Sequence, residues 1–181
     1  MRSWKLLGVS VPALAAIAVA AIAADNYLSL QSRMNAVVKN DARNTGIEVS
    51  VRYRHFVERS VLVYDLKSVG STNSMADVFR VLLQFAQALQ SREFTSVELA
   101  FRGQTRFLLT GAYFKKLGEE YVSQNPVYTM RTFSESVLMP DGSHAYPTWT
   151  GGWIGVIGKQ IEQFNEFHKQ WYLGDLAAIP R

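Results

Sequence analysis

The sequence contains no cysteine. Disulfide bonds, thiolate nucleophiles, cysteine-bound zinc and lipid attachment to an N-terminal cysteine are therefore all excluded. This composition fits an exported bacterial protein that folds without an oxidant. It does not by itself assign a compartment.

Charge is also scarce in this chain. Charged residues make up 19% of the sequence, below the roughly 25% of a typical soluble chain. The net charge is +4, of which Arg2 and Lys5 account for two, which leaves +2 for residues 25–181. Basic residues occur in short groups such as Lys115-Lys116 and form no longer run. We therefore expect no nucleic acid among the partners.

Cofactor and metal motifs are missing as well. The glycine-rich stretch 151–160 lacks a phosphate-loop pattern, because the required first glycine is Trp153 and the hydroxyl position is Gln160. Its glycines at 152, 155 and 158 fall every third residue, which does not match a dinucleotide fingerprint. None of the three histidines has a second histidine at metal-ligand spacing. We therefore expect no cofactor and no metal.

What the sequence does contain is an uncharged apolar run from Leu6 to Ala24, preceded by Arg2 and Lys5. Two interpretations remain open. Ala21-Ile22-Ala23 satisfies the small-x-small rule of a signal peptide cut before Ala24. A run of nineteen residues is also close to the ~20 that span a bilayer as a retained anchor.

Both interpretations place the rest of the chain outside the cytoplasm, since the two N-terminal cations resist crossing the membrane. The predicted organisation is a signal peptide or N-terminal membrane anchor at 1–24 and a single extracytoplasmic domain at 25–181. The predicted location is the periplasm or the outer side of the inner membrane, in a bacterial cell envelope. About 155 residues are enough for one ordinary hydrophobic core.

Apolar periodicity predicts the elements of this domain. Helical spacing is found at 26–42, at 74–91 behind a Ser74/Asp77 capping box, at 112–122 behind Thr110, and from about 153 to 172. Strand patterns are found at 47–57, 61–66, 96–102 and 105–109, with the first turn at 58–60. Weak strand character at 127–133 and an apolar segment at 137–139 suggest an extra hairpin.

The predicted fold class is therefore α+β. The element order is β-β-α-β-β-α, with a mainly antiparallel sheet packed by helices and a C-terminal helix. His168 falls on the apolar side of that last helix, where a hydrogen-bonded core histidine is expected.

The candidate functional site is an aromatic loop at 140–153. Tyr146, Trp149 and Trp153 are rigid aromatic residues in a region that connects two elements, where binding residues often lie. They predict a non-catalytic binding domain whose partner is an envelope protein or a cell-wall component. The alternative for these aromatics is structural, with the rings covering one end of the sheet.

A different function class is a hydrolase. His144 lies in the same loop, and Ser134, Ser136 or Ser143 could supply a nucleophile for acyl transfer. The sequence around these serines does not contain a nucleophile-elbow motif. We therefore keep His144 as the alternative to the binding interpretation.

Overall fold

The computed structural model describes residues 11–149 and 153–178 of the chain. Its helices are α1 Val11–Asn26, α2 Ser32–Asn40, α3 Met75–Ala88, α4 Gly111–Glu120, α5 Pro126–Phe133, α6 Trp153–His168 and α7 Gly174–Ala177. Its strands are β1 Ile47–Arg54, β2 Glu58–Val69, β3 Ser96–Phe101 and β4 Gln104–Thr110. Single π-helical turns join α1 to α2 at Tyr27–Gln31 and α6 to α7 at Lys169–Leu173.

The strands of the described residues form a four-stranded sheet in the order β1-β2-β3-β4. The outer pairs are antiparallel hairpins, whereas β2 and β3 pair in parallel. The sheet is therefore mixed, because α3 returns the chain across the sheet so that β3 runs beside β2 in the same direction. The α+β class and the β-β-α-β-β-α order are confirmed, with this correction to the sheet.

The core lies on one face of this sheet. Alternate strand residues, such as Tyr53, Tyr64 and Leu99, share a buried cluster with side chains from the helices. On the opposite face Asp65 is also buried, with Lys67 as its ion-pair partner. Glu98 on that face pairs with Arg54. Long charged side chains thus cover the strands there, which explains why β2 is apolar on both faces.

The predicted capping box at the start of α3 is present. The Ser74 hydroxyl accepts from the Asp77 N–H at 3.3 Å, and the Asp77 carboxylate accepts from the Ser74 N–H at 2.8 Å. Two backbone donors that a helix start leaves free are therefore satisfied. The helix expected behind Thr110 is likewise present as α4, with the Thr110 hydroxyl accepting from the Tyr113 N–H.

Two local predictions are wrong. Residues 127–133 are not a strand but lie in α5, because the Asn125 side chain caps the Val127 N–H at 2.9 Å and Pro126 occupies the first helical position. The first turn lies at 55–57 rather than 58–60, since β2 already begins at Glu58. Weak apolar alternation lost to helix-capping chemistry in the first case.

The first helix is joined to the sheet through its side-chain amides. The Asn26 amide oxygen accepts from the Tyr53 N–H at 2.9 Å. Five residues later, the Gln31 amide accepts from the Val51 N–H at 2.8 Å and donates to the Val49 carbonyl at 3.2 Å. The π-helical turn between them adds a residue to the helical turn, which brings both amides to the same side. They pair with backbone groups on the open edge of β1.

The α3–α4 contact depends on a glycine, and this gives a first prediction. A Cβ at Gly118 would lie 2.3 Å from the Ala86 carbonyl oxygen, whereas a Cβ at Gly158 in α6 would meet no described atom within 4 Å. We expect Gly118→Ala to lower the free energy of unfolding by about 1–3 kcal/mol through overpacking. Gly158→Ala should leave it unchanged or raise it by up to ~1 kcal/mol. Urea denaturation of both variants measures this, and equal stabilities would contradict it.

Candidate binding site

The loop that precedes α6 begins as a small hairpin attached to the edge of the sheet. Leu138 exchanges backbone hydrogen bonds of 2.8 and 2.9 Å with Leu108 of β4. Ala145 donates to the Val137 carbonyl at 3.0 Å, which closes the hairpin around a turn at 139–142. The first half of the loop is thus held by the sheet and has a defined conformation.

Asp141 organises this turn. Its carboxylate accepts from the Ser143 hydroxyl at 2.6 Å and from the Ser143 N–H at 2.9 Å. Both hydrogen bonds hold the pKa of the Asp141 carboxyl below its usual value, and the one from the hydroxyl has the larger effect. The Ser143 hydroxyl therefore donates to Asp141 and is not directed at a histidine.

His144 is exposed at the end of the hairpin. Within residues 11–149 and 153–178, no hydrogen bond joins His144 to a serine hydroxyl or to a carboxylate. Ser134 is fully buried. The groups needed for acyl transfer are therefore not assembled around His144 in this part of the chain.

Tyr146 fastens the second half of the loop to the last helices. Its side chain is 8% exposed, and its hydroxyl donates to the Gln170 amide oxygen at 3.1 Å. Its ring lies 6.2 Å from that of Phe107. Burial raises the pKa of the Tyr146 hydroxyl above its usual value. This residue supports the loop from below and offers little free surface.

Trp149 is the loop aromatic that reaches the surface among those described. It is 37% exposed, and the Lys159 ammonium lies 5.9 Å from its ring centroid. A groove of about 350 Å³ separates the loop from α6 at this point. The side chain of Trp153 and residues 150–152 lie outside the described part of the chain.

The opposite wall of the groove comes from α6. Its lining residues there are Lys159, Glu162, Gln163 and Glu166. They recur three or four positions apart and so share one side of the helix. Sequence reasoning missed this wall. The signal in the sequence is a row of polar residues at helical spacing that directly follows an aromatic loop.

Gln163 is the most informative of these residues. It is 7% exposed, and its amide nitrogen donates to the Pro147 carbonyl at 2.9 Å. Its amide oxygen is buried and has no hydrogen-bond partner among the described residues. Because this oxygen is closed to solvent, Gln163 supports the wall from beneath and does not present its acceptor to the groove.

Taken together, the groove offers an aromatic face and two carboxylates. Glu162 and Glu166 pair with exposed lysines at 2.8 and 3.5 Å, respectively. Such surface pairs contribute little and exchange readily. The arrangement is suited to a cationic group that carries N–H donors and can stack on an indole.

Comparison with known protein families, curated proteins and solved structures finds no match to this chain. Its functional assignment therefore rests on the chemistry of its own residues.

His168 lies beneath the site in the core. It is fully buried, and neither ring nitrogen has a hydrogen-bond partner among the described residues, contrary to the expectation of a hydrogen-bonded histidine. Its surroundings are aromatic, with Phe164 and Phe167 rings at 4.5 and 5.0 Å. Burial lowers its pKa from 6.5 to about 3. The imidazole is therefore neutral in the folded protein at pH 7.

This burial predicts a pH dependence of stability. Between about pH 6.5 and pH 3 the unfolded chain binds a proton at His168 and the folded protein does not. The free energy of unfolding should therefore fall as the pH is lowered through this window, by up to about 1.4 kcal/mol per pH unit. His168→Phe should remove this part of the slope.

The measurement is the urea midpoint from pH 7 to pH 4 for wild type and His168→Phe. His144→Ala is the matched control, because it removes an exposed histidine. A slope that is unchanged in His168→Phe would contradict the prediction.

Proposed function

We propose that this protein is a non-catalytic binding domain of the bacterial cell envelope, anchored in the inner membrane and facing outward. The observation that carries the binding proposal is the groove beside Trp149, with the carboxylates of Glu162 and Glu166 in its wall. Its contents suit molecular recognition, since aromatic and polar anchors converge on one depression.

The anchor proposal starts from α1. From Val11 to Asn40 the chain forms a helix long and apolar enough to cross a membrane, a test that a signal sequence near the N-terminus also passes. We propose that it is retained. The small residues Ala21 and Ala23 lie inside a helix that continues into the domain, whereas proteolytic cuts favour exposed flexible segments.

The orientation follows from charge. Arg2 and Lys5 lie before the apolar run, and the next charge is Asp25. The positive-inside rule then keeps the N-terminus in the cytoplasm and directs the sheet domain outward.

We propose that the ligand presents a cation to Trp149. In the free protein Lys159 occupies that ring face, and Glu162 pairs with the same lysine. An incoming arginine or amine of an envelope protein or a cell-wall component can take both interactions. A protein partner is favoured, because the groove is open at the surface and arginine is a common anchor of protein–protein interfaces. The alternative, a hydrolase using His144, has no supporting contact among the described residues.

A prediction about this site uses light-activated cross-linking in cells. A photoreactive aromatic amino acid, which keeps a ring for stacking, replaces Trp149 in one strain and Tyr128, an exposed aromatic on α5, in the control strain. We expect a defined adduct from position 149 and none from 128. Glu162→Gln with Glu166→Gln should reduce the adduct at least about fivefold, since removing the charged partner of a bound cation costs about 1–3 kcal/mol.

His144→Ala should leave the adduct unchanged if the site binds without catalysis. Equal adducts from positions 149 and 128, or an adduct indifferent to both carboxylates, would overturn the binding proposal. An adduct with peptidoglycan fragments would assign the cell-wall component as the partner.

The anchor gives a further prediction. Intact-mass measurement of the protein from the membrane fraction should find residues 1–24 present. A mature chain that begins at Ala24 and is free in the periplasm would contradict anchor retention while leaving the groove proposal intact.

A further inference from the structure

The hairpin between β1 and β2 lies beside the point where α1 enters the domain. Successive contacts show the direction. Gln31 contacts Val49 and Val51, Asn26 contacts Tyr53, and the Asn26 amide nitrogen donates to the Phe56 carbonyl at 2.7 Å. β1 therefore runs antiparallel to the helix, so that its hairpin tip extends towards the apolar segment.

The level of the tip along the helix is set by Asn26. The same amide nitrogen that binds the Phe56 carbonyl also donates to the Ile22 carbonyl at 2.9 Å. Ile22 belongs to the last turn of the apolar run, which ends at Ala24. A second contact, an ion pair of 3.0 Å between Arg59 and Asp25, holds the start of β2 at the same level. The tip thus lies where a spanning helix leaves the hydrocarbon.

The tip itself is apolar and exposed. Phe56 and Val57 are 53% and 59% exposed, respectively. Tyr27 and Leu28, which follow Asn26 on the helix, are exposed as well. Exposed apolar side chains gathered at one level are unusual on a protein that meets only water. Aromatic residues such as Tyr27 and Phe56 are favoured where a membrane meets water.

The turn conformation also disfavours an aromatic residue at position 56. His55 and Phe56 have φ angles of 50° and 65°, in the left-handed region. Glycine, asparagine and aspartate adopt this region readily, whereas a bulky aromatic is rare in it. Phe56 thus occupies a position where the turn conformation alone favours a small or polar residue.

Charge does not explain the tip. The charged groups around it on α1, β1, β2 and β3 are Arg52, Arg54, Arg59, Asp25, Glu58 and Glu98. Arg54 pairs with Glu58 and Glu98, and Arg59 pairs with Asp25. Arg52 lies over the Phe56 ring at 5.0 Å. Three cations are thus balanced by three anions, so attraction to a charged partner is weak.

From these observations we propose that the β1–β2 hairpin tip, Phe56 and Val57, is a second membrane contact that inserts into the lipid interface beside α1. The occupant of this surface is the bilayer in which α1 resides, so the inference rests on the retained anchor. Insertion depends on apolar burial and not on lipid charge. Two contacts together fix the tilt of the domain over the membrane.

The absence of cysteine makes a direct test possible, since single cysteines can be introduced for labelling. The full-length protein is reconstituted in phosphatidylcholine vesicles with Val57→Cys carrying a polarity-sensitive fluorophore. Nitroxide groups on the lipid acyl chains act as quenchers. The control is Thr72→Cys, an exposed site at the opposite end of β2, about 40 Å away along a 12-residue strand.

We expect blue-shifted emission at position 57 and quenching several-fold stronger than at position 72. Adding phosphatidylglycerol or salt should change neither value. Quenching at 57 that equals that at 72 would overturn the proposal. An emission shift that depends on protein concentration and not on the quencher would assign the tip to a second copy of the chain, which also overturns it.

A second variant tests the role of the ring. Phe56→Asn introduces a residue that tolerates a positive φ, so the hairpin should still fold. Thermal unfolding checks that the variant is folded. The label at 57 should then lose most of its quenching while the label at 72 is unaffected. Unchanged quenching at 57 would contradict insertion through Phe56.

A label at Val19, exposed on α1, separates this inference from the anchor proposal. Strong quenching at 19 without quenching at 57 overturns the hairpin contact and leaves the anchor standing. Absence of quenching at both positions overturns both.

Discussion

The rest of the structure depends on two amide side chains that close the edge of a sheet. An edge strand leaves a row of N–H and C=O groups that favour pairing with other chains. Here Asn26 and Gln31 supply partners for the exposed edge of β1 from a helix that is not itself a strand. The π-helical turn between them is what lets one helix serve both positions.

This connection links the apolar segment mechanically to the domain. Asn26 is buried at the junction and bonds at once to its own helix, to β1 and to the hairpin. A polar residue with several satisfied bonds in a buried position tends to fix a single arrangement. A membrane helix joined in this way would impose its direction on the sheet rather than act as a loose tether.

The opposite edge of the sheet is also covered in part. Leu138 pairs with the outer strand β4 through backbone hydrogen bonds. The loop that follows is held against the last helices by the hydrogen bond between Tyr146 and Gln170. The groove beside Trp149 is therefore built on a supported loop. The carboxylates of α6, Glu162 and Glu166, add charge to a groove whose other wall is aromatic.

Much of this fold was readable from the sequence, and particular elements show why. The Ser74/Asp77 capping box and the apolar stripe behind it predicted α3, since both signals are local. Alternation predicted β1, β3 and β4, and a short run that is apolar on both faces predicted β2. Residues 127–133 were misjudged because weak strand character in seven residues carries less information than Asn125-Pro126 at a helix start.

The candidate site was predictable only in part. The loop aromatics stand out by residue type. No local pattern, however, distinguishes Tyr146, which is buried, from Trp149, which is exposed. The wall from α6 could not be assigned, since a polar row on a helix is usually solvent-facing. His168 was placed correctly in the core, but its lack of partners depends on which rings surround it.

By itself the sequence determined the apolar leader, the helix and strand segments and the lack of cysteine chemistry, because each follows from residue type and short-range spacing. Tertiary structure alone decided the parallel pairing of β2 with β3, the acceptor left free on Gln163 and the position of Phe56 beside the end of the apolar helix. These features join residues distant in the chain, and their geometry is set by packing and hydrogen bonding that no local pattern encodes.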